Sequence, residues 1–271
     1  MKQLFLTTIL SSFIFFLNAQ SIISGVFQAS EAEMVYEHGL KWTAFQHKND
    51  SLNQNGYRLY DLETYKGSGD RTFWGIWIKS DLPAVVESVY GWASFVEKKR
   101  AMTSDSFLLT KVTAYAVSDK EQYYIGVWVK EDTPHKIWKL DSREGLAQKT
   151  EEMARQDFFI RNVEVFSSPN KTLIFLALFH KGKVTTPRNY VYTSDDLKVF
   201  KTSVLQRQKS GFRLVDFENF EEKGTRWYLG VFEKGDYETV LLEGQETPDF
   251  NGKWEILEEQ GLRLMDIELE E

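Results

Sequence analysis

The amino-acid sequence predicts an α+β repeat protein: a closed, propeller-like ring of five units, each built strand-strand-strand-helix. Three series of residues carry that expectation. The segment Tyr57-Arg58-Leu59-Tyr60-Asp61-Leu62-Glu63 aligns with segments starting at Phe107, Phe158, Phe212 and Leu262, at spacings of 50, 51, 54 and 50 residues. A small residue, Gly25, Gly75, Gly126, Ala177 or Gly230, recurs inside an aromatic and aliphatic run at intervals of 50, 51, 51 and 53. An apolar marker, Phe45, Phe95, Leu146, Phe200 or Phe250, stands twelve residues ahead of each first segment. A fixed period of roughly 20–50 residues marks architectures whose units bury their apolar faces against one another.

The elements follow in chain order. Met1-Lys2, the apolar run Leu4 to Leu17 and the small exit Asn18-Ala19-Gln20 have the layout of a secretory signal peptide over residues 1–20. The run is shorter than the roughly 20 apolar residues a spanning helix needs, so no stable span is expected once it is removed. Ile22 to Gln28 reads as a strand. Four units then run at approximately 42–91, 92–141, 142–194 and 195–246, and 247–271 joined with 21–41 makes the fifth, giving a single domain over 21–271. Each unit opens on a one-sided helix, as in Trp92 to Met102, where apolar residues recur among charges. The two aligned segments form a hairpin across turns such as Lys66-Gly67-Ser68-Gly69-Asp70 and Ser167-Ser168-Pro169-Asn170. A third short strand follows, as in Ala84 to Tyr90 and His135 to Leu140.

The phase of the repeat predicts closure. The first strand after the leader corresponds to the second strand of a unit, and Trp254 to Leu269 corresponds to a helix and a first strand. Together they complete one unit, and pairing the last strand with the first removes exposed sheet edges.

Composition narrows function by exclusion. The chain has 271 residues, 33 Lys+Arg against 40 Asp+Glu, a net charge of −7 and no cysteine. An acidic balance without a basic block argues against nucleic acid. The absence of cysteine removes disulfide scaffolds, thiolate metal sites and thiol nucleophiles. The four histidines, His38, His47, His135 and His180, share no repeat position and have no metal-ligand spacing. Neither a metal nor a cofactor is expected.

Two stretches, Gly56-Tyr57-Arg58-Leu59-Tyr60-Asp61-Leu62 with Trp74-Gly75-Ile76-Trp77, and Gly211-Phe212-Arg213-Leu214-Val215-Asp216-Phe217 with Gly230, share one pattern. It resembles the aromatic-rich tandem repeats of exported bacterial proteins that are similar to the N-terminal region of polyglycine hydrolases. The resemblance implies an accessory or recognition role. The companion serine-hydrolase domain is missing, since the one Ser-x-x-Lys, Ser168 to Lys171, falls in a proline-containing turn and not on a helix. The five-unit layout is also similar to the pentein arrangement, whose enzymes use a cysteine nucleophile that this chain lacks.

Candidate residues fall into three groups. Arg58, Arg213 and Arg263 each precede an aspartate, Asp61, Asp216 and Asp266, by three residues; Leu108 and Phe159 replace the arginine where Lys111 and Asn162 replace the aspartate. Joint presence and joint absence predict structural Arg–Asp pairs. A second reading makes the aspartates a partial carboxylate ring near the axis, interrupted by Lys111 and Asn162, that binds a cation or a basic ligand. The repeated glycines predict close approach of strands around a crowded axis. Trp74, Trp77, Trp128, Trp138 and Trp227 are candidate stacking platforms; Trp74 and Trp77, three apart in a strand, face opposite sides, so one is expected at a surface. Lys181, Lys183 and Arg188 lie in the most basic loop, within the longest repeat interval. The resulting expectation is a secreted or periplasmic, non-enzymatic recognition module for a glycan, peptide or protein. The alternatives are an exported hydrolase using Asp61, Asp216 and Asp266, or a structural envelope component.

Overall fold

The computed structural model describes residues 21–66, 69–118, 121–168, 170–182 and 189–270. The leader over 1–20, and Lys183 and Arg188, lie outside the described residues. The chain begins with β1 (Ile22–Ala29) and then repeats one order of strand, helix, strand, strand. The first repeat is β2 (Met34–Leu40), α1 (Trp42–Gln54), β3 (Tyr57–Tyr65) and β4 (Thr72–Lys79); the second is β5 (Ala84–Tyr90), α2 (Trp92–Ser104), β6 (Phe107–Ala116) and β7 (Gln122–Lys130). The third is β8 (His135–Leu140), α3 (Arg143–Ala154), β9 (Phe158–Ser167) and β10 (Leu173–Lys181); the fourth is β11 (Tyr190–Ser194), α4 (Leu197–Lys209), β12 (Phe212–Glu222) and β13 (Thr225–Lys234). β14 (Thr239–Glu246), α5 (Thr247–Glu259) and β15 (Leu262–Glu270) end it. No helix among the described residues is long and apolar enough to cross a membrane.

The strands form five three-stranded sheets in the orders β2-β4-β3, β5-β7-β6, β8-β10-β9, β11-β13-β12 and β14-β1-β15. The last sheet joins the two ends of the chain, as the repeat phase predicts. The pairing of the third strand differs from expectation in every sheet, β14 of the last one included. The third strand does not stay with the hairpin before it; β5 crosses a short turn and pairs with β7 of the next hairpin. Helix length explains this. β2 and β3 both run antiparallel to β4 and hence parallel to each other. Parallel strands need a crossover of about a dozen residues, which α1 supplies.

The helices end where the chain must turn into the inner strand. The residue before β3, β12 and β15 is Gly56, Gly211 or Gly261, with φ of 76°, 76° and 82°. At the same place before β6 and β9 stand Ser106 and Asp157, both at φ 59°. A non-glycine residue in this left-handed region is strained. Ser106→Gly is therefore expected to raise stability by about 0.5–1 kcal/mol, measured by urea unfolding with an unchanged m-value.

Each helix is pinned by its marker residue: Phe45, Phe95, Phe200 and Phe250 are fully buried and Leu146 almost so. The recurring small residue makes room for them. A Cβ on Gly75 would lie 2.5 Å from the Trp77 ring and 2.9 Å from Phe45, and one on Gly126 would lie 2.2 Å from the Trp128 ring. The expected approach of strands around an axis is thus corrected: Gly75, Gly126 and Gly230 accommodate a ring two residues further along the strand, and Gly25, Gly75 and Gly230 accommodate the helix marker. Ala177 fits this account, because its unit carries the smaller Leu146 as marker.

Both faces of every sheet are covered, because the hydrophobic clusters form between units. Phe45, Leu59 and Trp77 of one unit pack with Leu108, Ile125 and Val127 of the next. Trp74 and Ile76 pack with Phe27, Phe250 and Ile267, which tie the first unit to the last. The inner strands contact one another in succession, β3 with β6, β6 with β9, β9 with β12 and β12 with β15, and β15 contacts β3.

Candidate functional site

The site grows out of a defect shared by all five inner strands. Each skips one residue in its pairing with the middle strand, at Tyr60, Thr110, Arg161, Val215 and Met265. Such a bulge re-aims the side chains beyond it. Leu59 and Leu62, three apart, therefore both enter the core, while Asp61 and Glu63 turn toward the neighbouring inner strand. Two tiers of buried polar residues result: Asp61, Lys111, Asn162, Asp216 and Asp266, then Glu63, Thr113, Glu164, Glu218 and Glu268.

The first tier solves a backbone problem. The inner strands do not pair with one another as ladders, so their inward amides need acceptors. Asp61 Oδ2 accepts from Ile267 N, Asp266 Oδ2 from Phe217 N and Asp216 Oδ2 from Val163 N, all at 2.9 Å. Asn162 Oδ1 accepts from Val112 N at 3.4 Å. The fifth position is Lys111, whose Nζ lies 2.7 Å from Asp61, 3.2 Å from Asp266 and 3.4 Å from Asp216. Asn162 Nδ2 also donates to Asp216 Oδ1 at 2.7 Å. Burial alone would lower the Lys111 pKa, yet the carboxylates around it, Asp61 foremost, hold it well above the ordinary lysine value. Burial raises Asp216 and Asp266, and Lys111 opposes the rise in both.

This arrangement corrects the expected Arg–Asp pairs. Among the described residues none of Arg58, Arg213 and Arg263 forms an ion pair with its aspartate; all three carboxylates share Lys111 instead. Arg213 instead donates to the carbonyls of Gln208 and Tyr237, and Arg263 to those of Glu258 and Leu262. Lys111, read from the sequence as an interruption of a carboxylate ring, is the cation at its centre.

The second tier has no such cation. Glu218 Oε2 accepts from Val165 N at 2.9 Å, Glu268 Oε1 from Asn219 N at 3.4 Å, and Glu164 Oε1 from Thr113 Oγ1 at 2.8 Å. Glu63 Oε1 and Glu164 Oε2 are buried without a hydrogen bond; Glu63 Oε1 lies 3.9 Å from Lys111 Nζ. Burial first, and then the neighbouring carboxylates, push Glu63, Glu218 and Glu268 well above the carboxylate range. Glu164 is pushed up by burial to about 8. Glu164 therefore keeps its proton at neutral pH. The repeat alignment already carries the signal of these glutamates, since glutamate ends the first segment in four of five units.

A cavity opens beyond each tier. One of about 330 Å³ is lined by the aspartate tier, Arg58, Arg161, His180 and Glu233. His180 Nε2 lies 2.8 Å from Leu109 O, and burial lowers its pKa to about 3, so it is neutral. The other, of about 430 Å³, is lined by Glu63, Glu164, Glu268, Arg71, Tyr115 and Asn219. Beside its mouth Tyr115 stacks on Tyr123 at 5.6 Å, Tyr90 meets Tyr123 edge-on at 5.6 Å, and Arg71 lies over Tyr115. Tyr90 is 53% exposed. This tyrosine row is absent from the sequence-based candidates, which weighted tryptophan.

The tryptophans divide. Trp77 and Trp128 are fully buried and Trp74 nearly so, which corrects the expectation of one surface position: the two faces of β4 are opposite, but a neighbouring unit covers each. Trp77 Nε1 donates to Asn49 Oδ1 at 3.1 Å. Trp138 and Trp227 remain accessible and are capped by Lys149 at 3.9 Å and Arg143 at 3.3 Å from the ring centre. Lys181 is held by its own unit, donating to Gln156 O at 2.6 Å. Among the described residues no group of three or more acids and histidines has metal-binding geometry.

No curated protein matches the chain. A family model described as a polyglycine hydrolase-like structural repeat matches residues 32–80, 92–131 and 196–235. The first match spans β2 to β4, one sheet with its helix; the second, α2 to β7, and the third, α4 to β13, cover the helix and two of the three strands of a sheet. The chain is thus a tandem array of five like units, three of which are similar to the polyglycine hydrolase-like structural repeat.

Proposed function

We propose that this chain is an exported, non-enzymatic recognition module: a single domain over residues 21–271, closed as a propeller-like ring of five units. The contact of β15 with β3 and the hydrogen bond from Ile267 N to Asp61 support closure. The leader-like segment over 1–20 supports export. The observation that carries the non-enzymatic reading is the state of the aspartates. A general acid or base must reach substrate. Asp61, Asp216 and Asp266 each accept a backbone amide and share Lys111, so their lone pairs are committed to the fold. The recognition face is assigned to the end bearing Tyr90, Tyr123 and Tyr115, where flat, half-polar rings flank a cavity.

The test is a glycan and peptide array probed with the mature protein, hits being confirmed by intrinsic fluorescence. Binding that Tyr90→Ala weakens without changing the melting temperature is expected. Asp61→Asn and Asp216→Asn should each lower stability by about 1–3 kcal/mol while the folded fraction keeps its ligand. A hydrolytic activity that these variants abolish with folding intact would replace the recognition reading by the hydrolase one.

A further inference from the structure

Each helix buries one face on its sheet and leaves the other in solvent, and two neighbouring helices differ sharply in charge. α4 carries Lys198, Lys201, Arg207 and Lys209 and no acid, whereas α5 carries Asp249, Glu255, Glu258 and Glu259 against one lysine. They are neighbours because Lys201 of α4 reaches Glu243 of β14 at 3.2 Å, and α5 follows β14 in the chain. The opposite charges are not spent on one another. Among the described residues Lys198, Lys209, Asp249, Glu255 and Glu259 make no ion pair. The same two faces hold the two most exposed large apolar side chains among the described residues, Leu205 at 59% on α4 and Ile256 at 56% on α5. A lone exposed apolar residue needs no explanation, but each of these stands within a strip of charge that the facing strip complements.

Shape adds a third observation. Gly252 sits in the middle of α5, where glycine weakens a helix relative to alanine. The fold does not require it, since a Cβ built there meets no atom within 4 Å. The repeated glycines of the middle strands are the opposite case, each crowded by a neighbouring side chain. Gly252 thus leaves a notch on the outer face of α5, one turn ahead of Glu255 and Ile256. Phe200 and Phe250 hold equivalent places in their units, so Leu205 stands at the level of Glu255; its side chain leans over the preceding turn, which is the level of Gly252. Both helices cross from an edge strand to an inner strand in neighbouring units, so they run the same way.

We propose that the outer faces of α4 and α5 form a self-association surface, on which two copies of this chain join about a two-fold axis running along the helices. Rotation about that axis lays α4 of one copy parallel to α5 of the other and makes the same contact twice. Leu205 then enters the notch at the partner's Gly252, against the partner's Ile256, while Lys209 comes level with the partner's Glu259 and Lys198 with the partner's Asp249. Each face finds its complement in charge and in shape on the same chain, which selects a second copy as the occupant. The inference goes beyond the recognition reading and does not depend on it.

The experiment measures the mass of the mature chain by sedimentation equilibrium at up to about 100 μM protein, in low and high salt. A monomer–dimer equilibrium that salt weakens is expected. Gly252→Gln fills the notch and should weaken the dimer about tenfold or more, while the melting temperature, read where the parent is monomeric, does not fall. Lys209→Glu and Glu259→Lys should each weaken the dimer, and the double variant should restore it. A chain that is monomeric at every concentration overturns the proposal and leaves the charged faces to a partner of another kind. A dimer indifferent to Gly252→Gln and to both charge reversals also overturns it, because such a dimer forms through another surface. Neither failure touches the array result, so the recognition module would stand.

Discussion

Lys111→Met is expected to unfold the protein at neutral pH, or to lower its stability by about 3–5 kcal/mol, the range for removing one partner of a buried ion pair. The effect exceeds that of an ordinary pair because one ammonium serves three carboxylates. Without it, Asp61, Asp216 and Asp266 face one another inside the protein, and each still has to accept a strand amide. Protonation is their remaining escape. Burial already raises Asp216 and Asp266, and Lys111 is the cation that restrains them. In the variant both keep protons that the unfolded chain releases near pH 4, so stability falls as pH rises, by about 1.4 kcal/mol per unit for each retained proton. The variant should therefore recover much of its stability at pH 4–5. A Lys111→Met protein as stable as the parent at pH 7, by urea unfolding, would remove the tier from the account of the fold.

How much of this was legible in the sequence depends on whether a signal repeats. The helices, the hairpins and the union of β1 with β15 follow from markers that recur in every unit. The pairing of β5 with β7 was not legible, since a short strand after a turn looks alike whether it joins the sheet behind or the one ahead. Arg58 and Asp61 co-occur with Arg213 and Asp216, which gives a real correlation, but contact does not follow from it: the bulge at Tyr60 and the arrival of Lys111 from another unit decide the partners. Lys111 was misread because it breaks the repeat. In a symmetric arrangement the odd residue is where a charge imbalance is corrected, so a lone lysine among aspartates at one repeat position reads better as their counter-ion. The buried tryptophans failed for a similar reason, as strand alternation gives the two faces of β4 but not that neighbours cover both.

The pH profile of the parent protein should run opposite to that of most globular proteins. A carboxylate stabilised by ion pairs has a lowered pKa, and stability is lost as pH falls. Here burial raises Glu63, Glu218 and Glu268 well above their ordinary value and Glu164 to about 8. The folded state then binds more protons than the unfolded chain over the interval from about pH 4.5 to 8, and the derivative of stability with pH is negative there. For Glu164 the stability is fully present below its unfolded value near 4.5 and declines until pH passes about 8, where both states are ionised. Each such group contributes a slope of about 1.4 kcal/mol per pH unit while the states differ by one proton. Thermal unfolding should therefore show a melting temperature that drops between pH 5 and 8. Glu164→Gln keeps an oxygen for Thr113 and Ala114 and cannot ionise, so it should flatten the profile by one proton and raise stability at pH 8. A parent profile that rises from pH 5 to 8, or a Glu164→Gln profile parallel to it, would mean that the glutamate tier is ionised and already neutralised from within.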